Sequence, residues 1–453
     1  MDSPSSPEAH TGISRRDFLR GGTTAVVGSV VAGAFPAKAS AFYASDDAIR
    51  VGLIGCGGRG TGAALQALSC GQNVRLVAMA DAFQDRLDES LANLQNPEYG
   101  DWSGTTASSV QARIDVPVER RFVGFDGYKQ VIPLVDVVIL ATPPGFRPMH
   151  FEAAIDAGKH VFMEKPVATD APGVRQVLAT HAKAVEKKLN VVVGLQRHYE
   201  AKYREWIDRI HDGAIGDVVL GRVYWNSEGV WVRPRQPQWN EMEYQMRNWY
   251  YFTWLCGDHI VEQHIHNIDV GNWVKQGPPV RAQGQGGRLV RTGPDTGQIY
   301  DHHFVEFEYA DGSRVLSQCR HMPGCMNRVS EAFHGTRGSA PEPGVLLDAE
   351  GQTIYTYRDK EAPNPYQVEH DELFAAVAAG DYQYADAALG AEATMTAILG
   401  RMATYSGTVV EWDAALASEE SLMPERFAWD AVPPVLPGPD GGYPVPMPGT
   451  MRA

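Results

Sequence analysis

The chain has 453 residues, of which 40 are basic and 55 acidic, giving a formal charge of −15. A balance this acidic argues against nucleic acid or anionic lipid as a partner and favours a small neutral substrate. The five cysteines, Cys56, Cys70, Cys256, Cys319 and Cys325, lack C-x-x-C spacing and form no disulfide framework, although Cys319 and Cys325 could pair outside the cytoplasm.

The first predicted element is an export signal. In ISRRDFLRGGTTAVVGSVVAGAFPAKASA (13–41), paired Arg15 and Arg16 precede a Gly/Ala/Val-rich run and then small residues at Ala37, Ala39 and Ala41. A basic start, an apolar middle and an A-x-A site form a cleavable signal, and the paired arginines select the twin-arginine translocase as partner. The run from Gly21 to Pro36 is shorter than the ~20 apolar residues needed to span a bilayer, so no stable membrane anchor is expected. Residues 1–41 are read as signal and linker, and the body as a soluble, periplasmic or otherwise extracytoplasmic protein.

A short apolar strand (50–54) then leads into Gly55-Cys56-Gly57-Gly58-Arg59-Gly60 and a helical stretch from about 61 to 68. G-x-G-x-x-G between strand and helix is a dinucleotide-binding turn. Gly55 permits the turn, Gly57 admits a pyrophosphate, Gly60 lets helix and strand pack, and Gly58 and Arg59 open the helix whose N–H groups face the phosphates. The next strand, VRLVAMAD, ends in Asp81, 26 residues beyond Gly55, where a carboxylate accepts from the ribose hydroxyls of NAD. Arg86, about a helical turn on, leaves NADP open. Residues 93–120 break the rhythm and read as a loop excursion over the sheet edge.

VDVVILATPP (135–144) is an unbroken apolar run, as a buried parallel strand should be. Thr142 and Pro143 in its turn, and His150 on the following helix (149–158), are placed at the cofactor. KHVFMEKP (159–166), a helix near 171–187 and NVVVGLQ (190–196) complete a doubly wound sheet over 48–196, with Arg197 just beyond it as a substrate candidate.

Five of the ten tryptophans, Trp225, Trp231, Trp239, Trp249 and Trp254, fall within residues 222–259, interleaved with Arg, Asn, Gln and Glu. Aromatic faces beside hydrogen-bonding groups suit a sugar ring, and many such rings also serve a core or an interface. Arg247, Trp249 and Tyr250, immediately upstream of the next motif, are the substrate candidates here. That motif is HIVEQHIHNIDVGNWV (259–274). Read as one helix, it aligns His259, Glu262, His266, Asp269 and Trp273 in a polar stripe beside Ile260, Val261, Ile265 and Ile268. Glu262 and His266 become i, i+4 neighbours, so the carboxylate can orient the imidazole. H-x-x-E-Q-H is one residue too long for the H-x-x-E-H zinc helix, and no metal is expected.

Together, GKHVFMEKP after ATPPGFRPMH and the acid-x3-His-x2-Asp spacing of Glu262, His266 and Asp269 resemble the Gfo/Idh/MocA (glucose–fructose oxidoreductase-like) family. Here the first acid is glutamate where the family usually has aspartate. The resemblance covers about residues 48–412, including DGAIGDVVLGRVYW (212–225) and the helices near 369–405 that return to the nucleotide domain. It implies an α/β protein: an N-terminal Rossmann domain with a doubly wound parallel sheet (48–196), and a C-terminal α+β domain with a large, mainly antiparallel sheet (197–412). A Pro/Gly-rich arm (413–453) is expected on the surface. On this resemblance Glu164-Lys165-Pro166 ends a strand beside the nicotinamide, Lys165 is the active-site lysine, and the Lys165–Pro166 bond can be cis.

The chemistry implied is NAD(P)-dependent oxidation of a secondary hydroxyl on a sugar, polyol or glycoside. His266 serves as base with a near-neutral pKa, Lys165 stabilises the developing alkoxide, and Glu262 orients His266 or grips a neighbouring hydroxyl. His259 and Asp269 are further substrate candidates. Outside the cytoplasm no nicotinamide pool re-oxidises a released cofactor, so the dinucleotide would be retained and recycled in situ. Redox-neutral glycoside cleavage by oxidation, elimination and reduction is one alternative, and a non-catalytic exported sugar-binding module is another. The family resemblance also implies a homo-oligomer, dimer or tetramer.

Overall fold

The computed structural model describes residues 48–450, and the export signal expected at 1–41 lies outside the described residues. Among the described residues, no helix is long and apolar enough to cross a membrane.

Six strands, β1 (Ile49–Ile54), β2 (Val74–Asp81), β3 (Arg121–Val123), β4 (Val137–Leu140), β5 (His160–Met163) and β6 (Val191–Val193), form a parallel sheet in the order β3-β2-β1-β4-β5-β6. Their short runs of Val, Ile and Leu are buried because helices cover both faces, as crossover connections require. Strand order reverses between β1 and β4, so a crevice opens at the carboxyl ends of those strands. Helices α1 (Gly58–Ser69), α2 (Gln84–Gln95), α3 (Arg147–Asp156) and α4 (Ala171–Glu186) make the crossovers. The start of α4 is set by Asp170, whose side chain accepts from the Gly173 N–H at 2.8 Å, with Pro172 in the first turn where no donor is needed.

A second sheet of nine strands follows. It comprises β7 (Val218–Ser227), β8 (Arg281–Gly287), β9 (His302–Glu308), β10 (Arg314–His321), β11 (Arg328–Gly335), β12 (Gly338–Glu342), β13 (Val345–Asp348), β14 (Thr353–Thr356) and β15 (Val410–Glu411), in the order β14-β13-β12-β11-β7-β10-β9-β8-β15. All pairings are antiparallel except β7 with β10. Alternation along β10 turns Val315, Ser317, Cys319 and His321 inward, where Ser317 meets His264 and His321 meets Gln263 just ahead of helix α5 (Ile265–Lys275).

The chain then returns to the first sheet through α6 (Pro365–Ala379) and α7 (Ala387–Ser406). The 20-residue α7 is buried along most of its length because it runs between the two halves. Thr394 Oγ1 accepts from the Val167 N–H at 3.1 Å, Thr396 Oγ1 accepts from Asn272 Nδ2 at 2.8 Å, and Arg401 Nη1 donates to the carbonyls of Thr169 and Gly257.

Three local expectations are corrected. The stretch 93–120 does run over the sheet edge as a loop with two short 3-10 turns, but it starts later than expected, because α2 runs to Gln95; Ala107, Val110 and Val116 anchor it in the core. The polar helix expected over 259–273 is broken, since His259–Glu262 is a single turn and α5 begins only at Ile265. Gln263 donates its backbone N–H to the His259 carbonyl and holds His321 Nε2 at 2.6 Å through its side chain, so tertiary partners fix the break. Finally, among the described residues the Pro/Gly-rich arm has no regular structure beyond Leu416, yet Met423, Phe427, Trp429, Val435 and Tyr443 pack into an aromatic cluster with Phe146, Tyr251 and Phe252.

Candidate active site

The crevice at the β1–β4 switch point is a cleft of about 340 Å3, lined by Gly55, Gly57, Gly58, Arg59, Gly60, Asp81, Thr142, Pro143 and His150. All nine were expected at the cofactor, and the structure brings them together. Gly55 has φ +96°, and a Cβ there would lie 2.5 Å from the Ala141 carbonyl carbon and the Thr142 nitrogen. A Cβ on residue 60 would lie 1.9 Å from the Gly55 carbonyl oxygen, so helix and loop touch only because both are glycines. At Gly57 and Gly58 a Cβ would meet nothing within 4 Å, which leaves an open cradle in front of the α1 N-terminus. Backbone donors facing open space at a helix start are the fit a pyrophosphate requires.

Asp81 accepts from the Cys56 N–H at 2.6 Å and the Phe83 N–H at 2.9 Å, so the carboxylate expected at the ribose braces the glycine loop. Burial raises its pKa, partly offset by these donors. Thr142 Oγ1 lies 3.2 Å from His150 Nδ1, and His150 Nε2 is buried without a hydrogen-bond partner. Burial and the nearby Arg147 cation push the His150 pKa down to about 3, so its ring is neutral. Arg147, which the sequence reading passed over, donates to the carbonyls of Leu140 and Thr142 at 2.6 and 2.7 Å and clamps the end of β4.

Arg59 and Glu164 form an ion pair at 2.6 Å, and Arg59 also reaches Glu369 of α6 at 3.0 Å. Glu164 is therefore committed to Arg59, and a Cβ at Gly194 would sit 2.8 Å from its carboxylate oxygens. Its neighbour Lys165 points the other way. Lys165 Nζ donates to the backbone carbonyl of Glu262 at 2.6 Å and to its carboxylate at 3.2 Å. The Lys165–Pro166 bond is cis.

His266 opens α5 beside Trp225, with ring centroids 5.9 Å apart. Its pKa is driven well below the ordinary histidine value, first by burial and then by the Lys165 and Arg197 cations. The expectation of a near-neutral pKa is corrected: the ring is a neutral imidazole throughout the physiological range. The helix break also separates Glu262 from His266, so the carboxylate engages Lys165 and does not orient the imidazole.

The remaining candidates divide. Tyr250 is buried with its hydroxyl close to Glu262, and burial followed by that charge raises its pKa well above the usual value. Arg197 pairs with buried Glu331 at 2.5 Å, and Glu331 also accepts from Tyr203 and Asn267. Asp269 holds His198 Nε2 at 2.8 Å, and the His198 ring lies on Trp273. His259 is fully buried against Asp258. Asp258, His259 and His303 each bring a potential ligand atom within 4.8 Å of the others, a grouping that no local spacing revealed. The Asp258 oxygens, however, already accept from the Tyr300 N–H, the Tyr405 hydroxyl and His259. Arg247 and Trp249, expected at the substrate, line the same cleft as Asp81. Phe83, Phe125 and Arg233 join them there and were not singled out, because nothing in their local sequence marks them.

A switch-point cleft with a glycine cradle and a closing carboxylate, next to a half-buried lysine and glutamate and a buried, neutral histidine, defines a dinucleotide-dependent oxidoreductase. Residues 49–194 match the model of the oxidoreductase family with an NAD-binding Rossmann fold, and residues 203–340 match the GFO/IDH/MocA C-terminal domain. The chain belongs to the Gfo/Idh/MocA oxidoreductase family, and its N-terminal half is an NAD-binding domain. It is similar to inositol 2-dehydrogenase of Rhizobium meliloti, 26% identical over 64% of this chain and 74% of that one. Other inositol dehydrogenases match over about half of their own length. Among solved structures, aldose-aldose oxidoreductase from Caulobacter crescentus superposes with a TM-score of 0.59 at 17% identity, over 80% of this chain and 99% of that one. Levoglucosan dehydrogenase in complex with NADH and levoglucosan gives 0.60 at 17%, with the same coverage. At these identities the superpositions establish the fold alone.

Proposed function

We propose that this protein oxidises a secondary hydroxyl of a sugar, polyol or glycoside and that it retains its nicotinamide cofactor through the catalytic cycle. The carrying observation is the Lys165–Glu262 pair just past β5, whose lysine cation also acts on buried His266, beside a cleft built for a dinucleotide. When bound, the cofactor supplies the hydride acceptor. Lys165 Nζ, already presented as a donor, turns from the Glu262 carboxylate to the substrate oxygen and stabilises its developing negative charge. His266, neutral at working pH, accepts the hydroxyl proton on its ring nitrogen. Glu262, relieved of half of its contact with Lys165, takes a neighbouring hydroxyl of the substrate. The relatives named for inositol support a polyhydroxylated ring as the substrate class.

Export by the twin-arginine route, expected from residues 13–41, is what makes retention of the cofactor necessary in this reading. Val219, Phe304, Val329 and Ile354, apolar yet exposed on the second sheet, support the expectation of a homo-oligomer.

The deciding experiment is to purify the protein without added cofactor and record its nicotinamide spectrum. Inositols, aldoses and glycosides are then offered singly and in pairs. Bound cofactor that is reduced by one compound and re-oxidised only by a second, carbonyl compound supports the proposal. Absence of bound cofactor defeats retention, and release of an aglycone without net redox change points to the cleavage reaction instead.

A further inference from the structure

The dinucleotide cleft has two walls. One belongs to the Rossmann half and carries Asp81 and Phe83. The other comes from the connection after β7, which contributes Trp231, Arg233, Arg247 and Trp249. A single-turn crossover would not reach this far, and the long connection places a second set of groups opposite the nucleotide-binding loop.

Of the four arginines lining the cleft, three have carboxylate partners, Arg59 through Glu164 and Glu369. Arg247 bonds Asp85 at 3.0 Å across the gap, bonds Glu243 at 3.0 Å, and lies over the Phe83 ring at 4.0 Å. Arg86 pairs with Glu89 at 3.1 Å. Arg233 has no carboxylate partner among the described residues. Its backbone N–H is fixed by Asn248 Oδ1 at 2.9 Å, and its guanidinium sits 5.2 Å from the centre of the Trp231 ring. Burial and the like charges of Arg86 and Arg247 lower its pKa, which marks a site where an anion would relieve the crowding of cations.

The wall is tied down from behind by the C-terminal arm. Trp429 packs on Phe83 at 5.1 Å and on Phe125 at 4.6 Å, two rings that line the cleft. The Trp429 carbonyl accepts from Asn240 Nδ2 at 2.8 Å, the Val435 carbonyl accepts from Gln245 Nε2 at 2.7 Å, and the Tyr443 hydroxyl meets Arg235 at 2.8 Å. The connection and the arm are thus one structure, joined to the Rossmann half through Arg247–Asp85 and the aromatic rings.

We propose that residues 230–249 and the arm 422–443 form a clasp over the adenosine half of the dinucleotide, in which Arg233 is the cation that binds a cofactor phosphate. The phosphate is either the pyrophosphate common to both nicotinamide cofactors or the 2′-phosphate peculiar to NADP. The inference rests on the reading that the cofactor is retained and supplies its physical cause: release requires this wall to part from the glycine loop and an anion to leave an otherwise unpaired guanidinium.

The test measures dissociation of NADH and, separately, NADPH from the loaded full-length protein, by displacement with excess oxidised cofactor and stopped-flow fluorescence. A charge-assisted hydrogen bond corresponds to about tenfold or more in the release rate, so Arg233→Met is expected to accelerate release by that factor, and Arg233→Lys to recover most of it. Acceleration with both cofactors places Arg233 on the pyrophosphate, and acceleration with NADPH alone places it on the 2′-phosphate. Unchanged release of both overturns the assignment of Arg233. Trp429→Ala removes no charge and tests the arm independently: the clasp predicts faster release of both cofactors, and an unaltered rate overturns the role of the arm. Because release is read on added cofactor, these outcomes stand apart from whether a second carbonyl compound recycles it.

Discussion

Lys165 Nζ lies 2.6 Å from the backbone carbonyl of Glu262 and 3.2 Å from its carboxylate, so the lysine has two acceptors on one residue, and only one of them is a side chain. The carbonyl is held by the backbone of the turn and keeps the ammonium in place. The carboxylate is free to yield its share of the contact to substrate.

From this pairing, Lys165→Ala is expected to lower kcat by roughly 10²–10³-fold, the cost of losing a donor aimed at a developing oxyanion. Cofactor affinity should be unchanged, because Lys165 is not among the residues lining the dinucleotide cleft. Glu262→Gln keeps the backbone acceptor and is expected to cost less in kcat than Lys165→Ala while raising KM. Steady-state kinetics beside a fluorescence titration with NADH checks both. An equal loss for the two variants would show that the carboxylate, not the carbonyl, positions the lysine.

His266 is neutral well below pH 6.5 because burial and the adjacent cations oppose a further positive charge. Its base form therefore persists below the ordinary histidine range, and the acid limb of kcat/KM should carry no inflection near the ordinary histidine pKa. His266→Asn is expected to reduce kcat by about 10²–10⁴-fold, as for loss of a general base. A wild-type profile that falls with a midpoint near 6.5, and loses that midpoint in His266→Asn, would contradict the depressed pKa.

The buried ion network at Arg59 makes a stability prediction. Arg59 neutralises Glu164 at 2.6 Å and Glu369 at 3.0 Å, and Glu369 is fully buried. Arg59→Met strands both carboxylates and is expected to destabilise the fold by about 3–5 kcal/mol. The double replacement with Glu369→Gln should recover part of that loss. Urea denaturation of the single and double variants reads the coupling directly.

Stability should also fall on mild acidification. His150 and His264 are held near pKa 3 and His259 near 4 by burial, against an ordinary 6.5. As pH drops below 6.5 the unfolded chain binds protons that the folded chain refuses. The stabilisation is complete above pH 6.5 and is lost progressively toward pH 4, at about 1.4 kcal/mol per pH unit for each histidine. Thermal midpoints recorded from pH 8 to 5 should be level at first and then decline; a flat curve to pH 5 would refute the depressed values.

Much of the nucleotide half was legible because its signals are local. The glycine loop, Asp81 and Glu164-Lys165 each declare themselves within a few residues, and the strand–helix rhythm places them at one edge. The 259–273 stretch misled because helical spacing alone joined Glu262 to His266. Contacts from β10, His321 with Gln263 and Ser317 with His264, interrupt that helix, and such partners are invisible to periodicity. Arg59 and Glu369 are 310 residues apart, beyond the reach of any motif. Composition reads the tryptophan-rich segment as a sugar platform, and it could not foresee that Trp231 and Trp249 line the same cleft as the glycine loop, since a flat ring of either kind of ligand suits an aromatic wall.

The buried helix Ala387–Ser406 has a consequence for how the protein can come apart. It donates to or accepts from residues of both halves, and Arg401 near its end holds the Gly257 carbonyl just ahead of the His259–Glu262 turn. The two halves therefore do not behave as separable modules. A Rossmann fragment ending near residue 196 would expose the apolar surface that this helix covers, and the second sheet without the helix would lose its core. The expected outcome is that neither piece survives alone, and that the intact chain melts in a single transition.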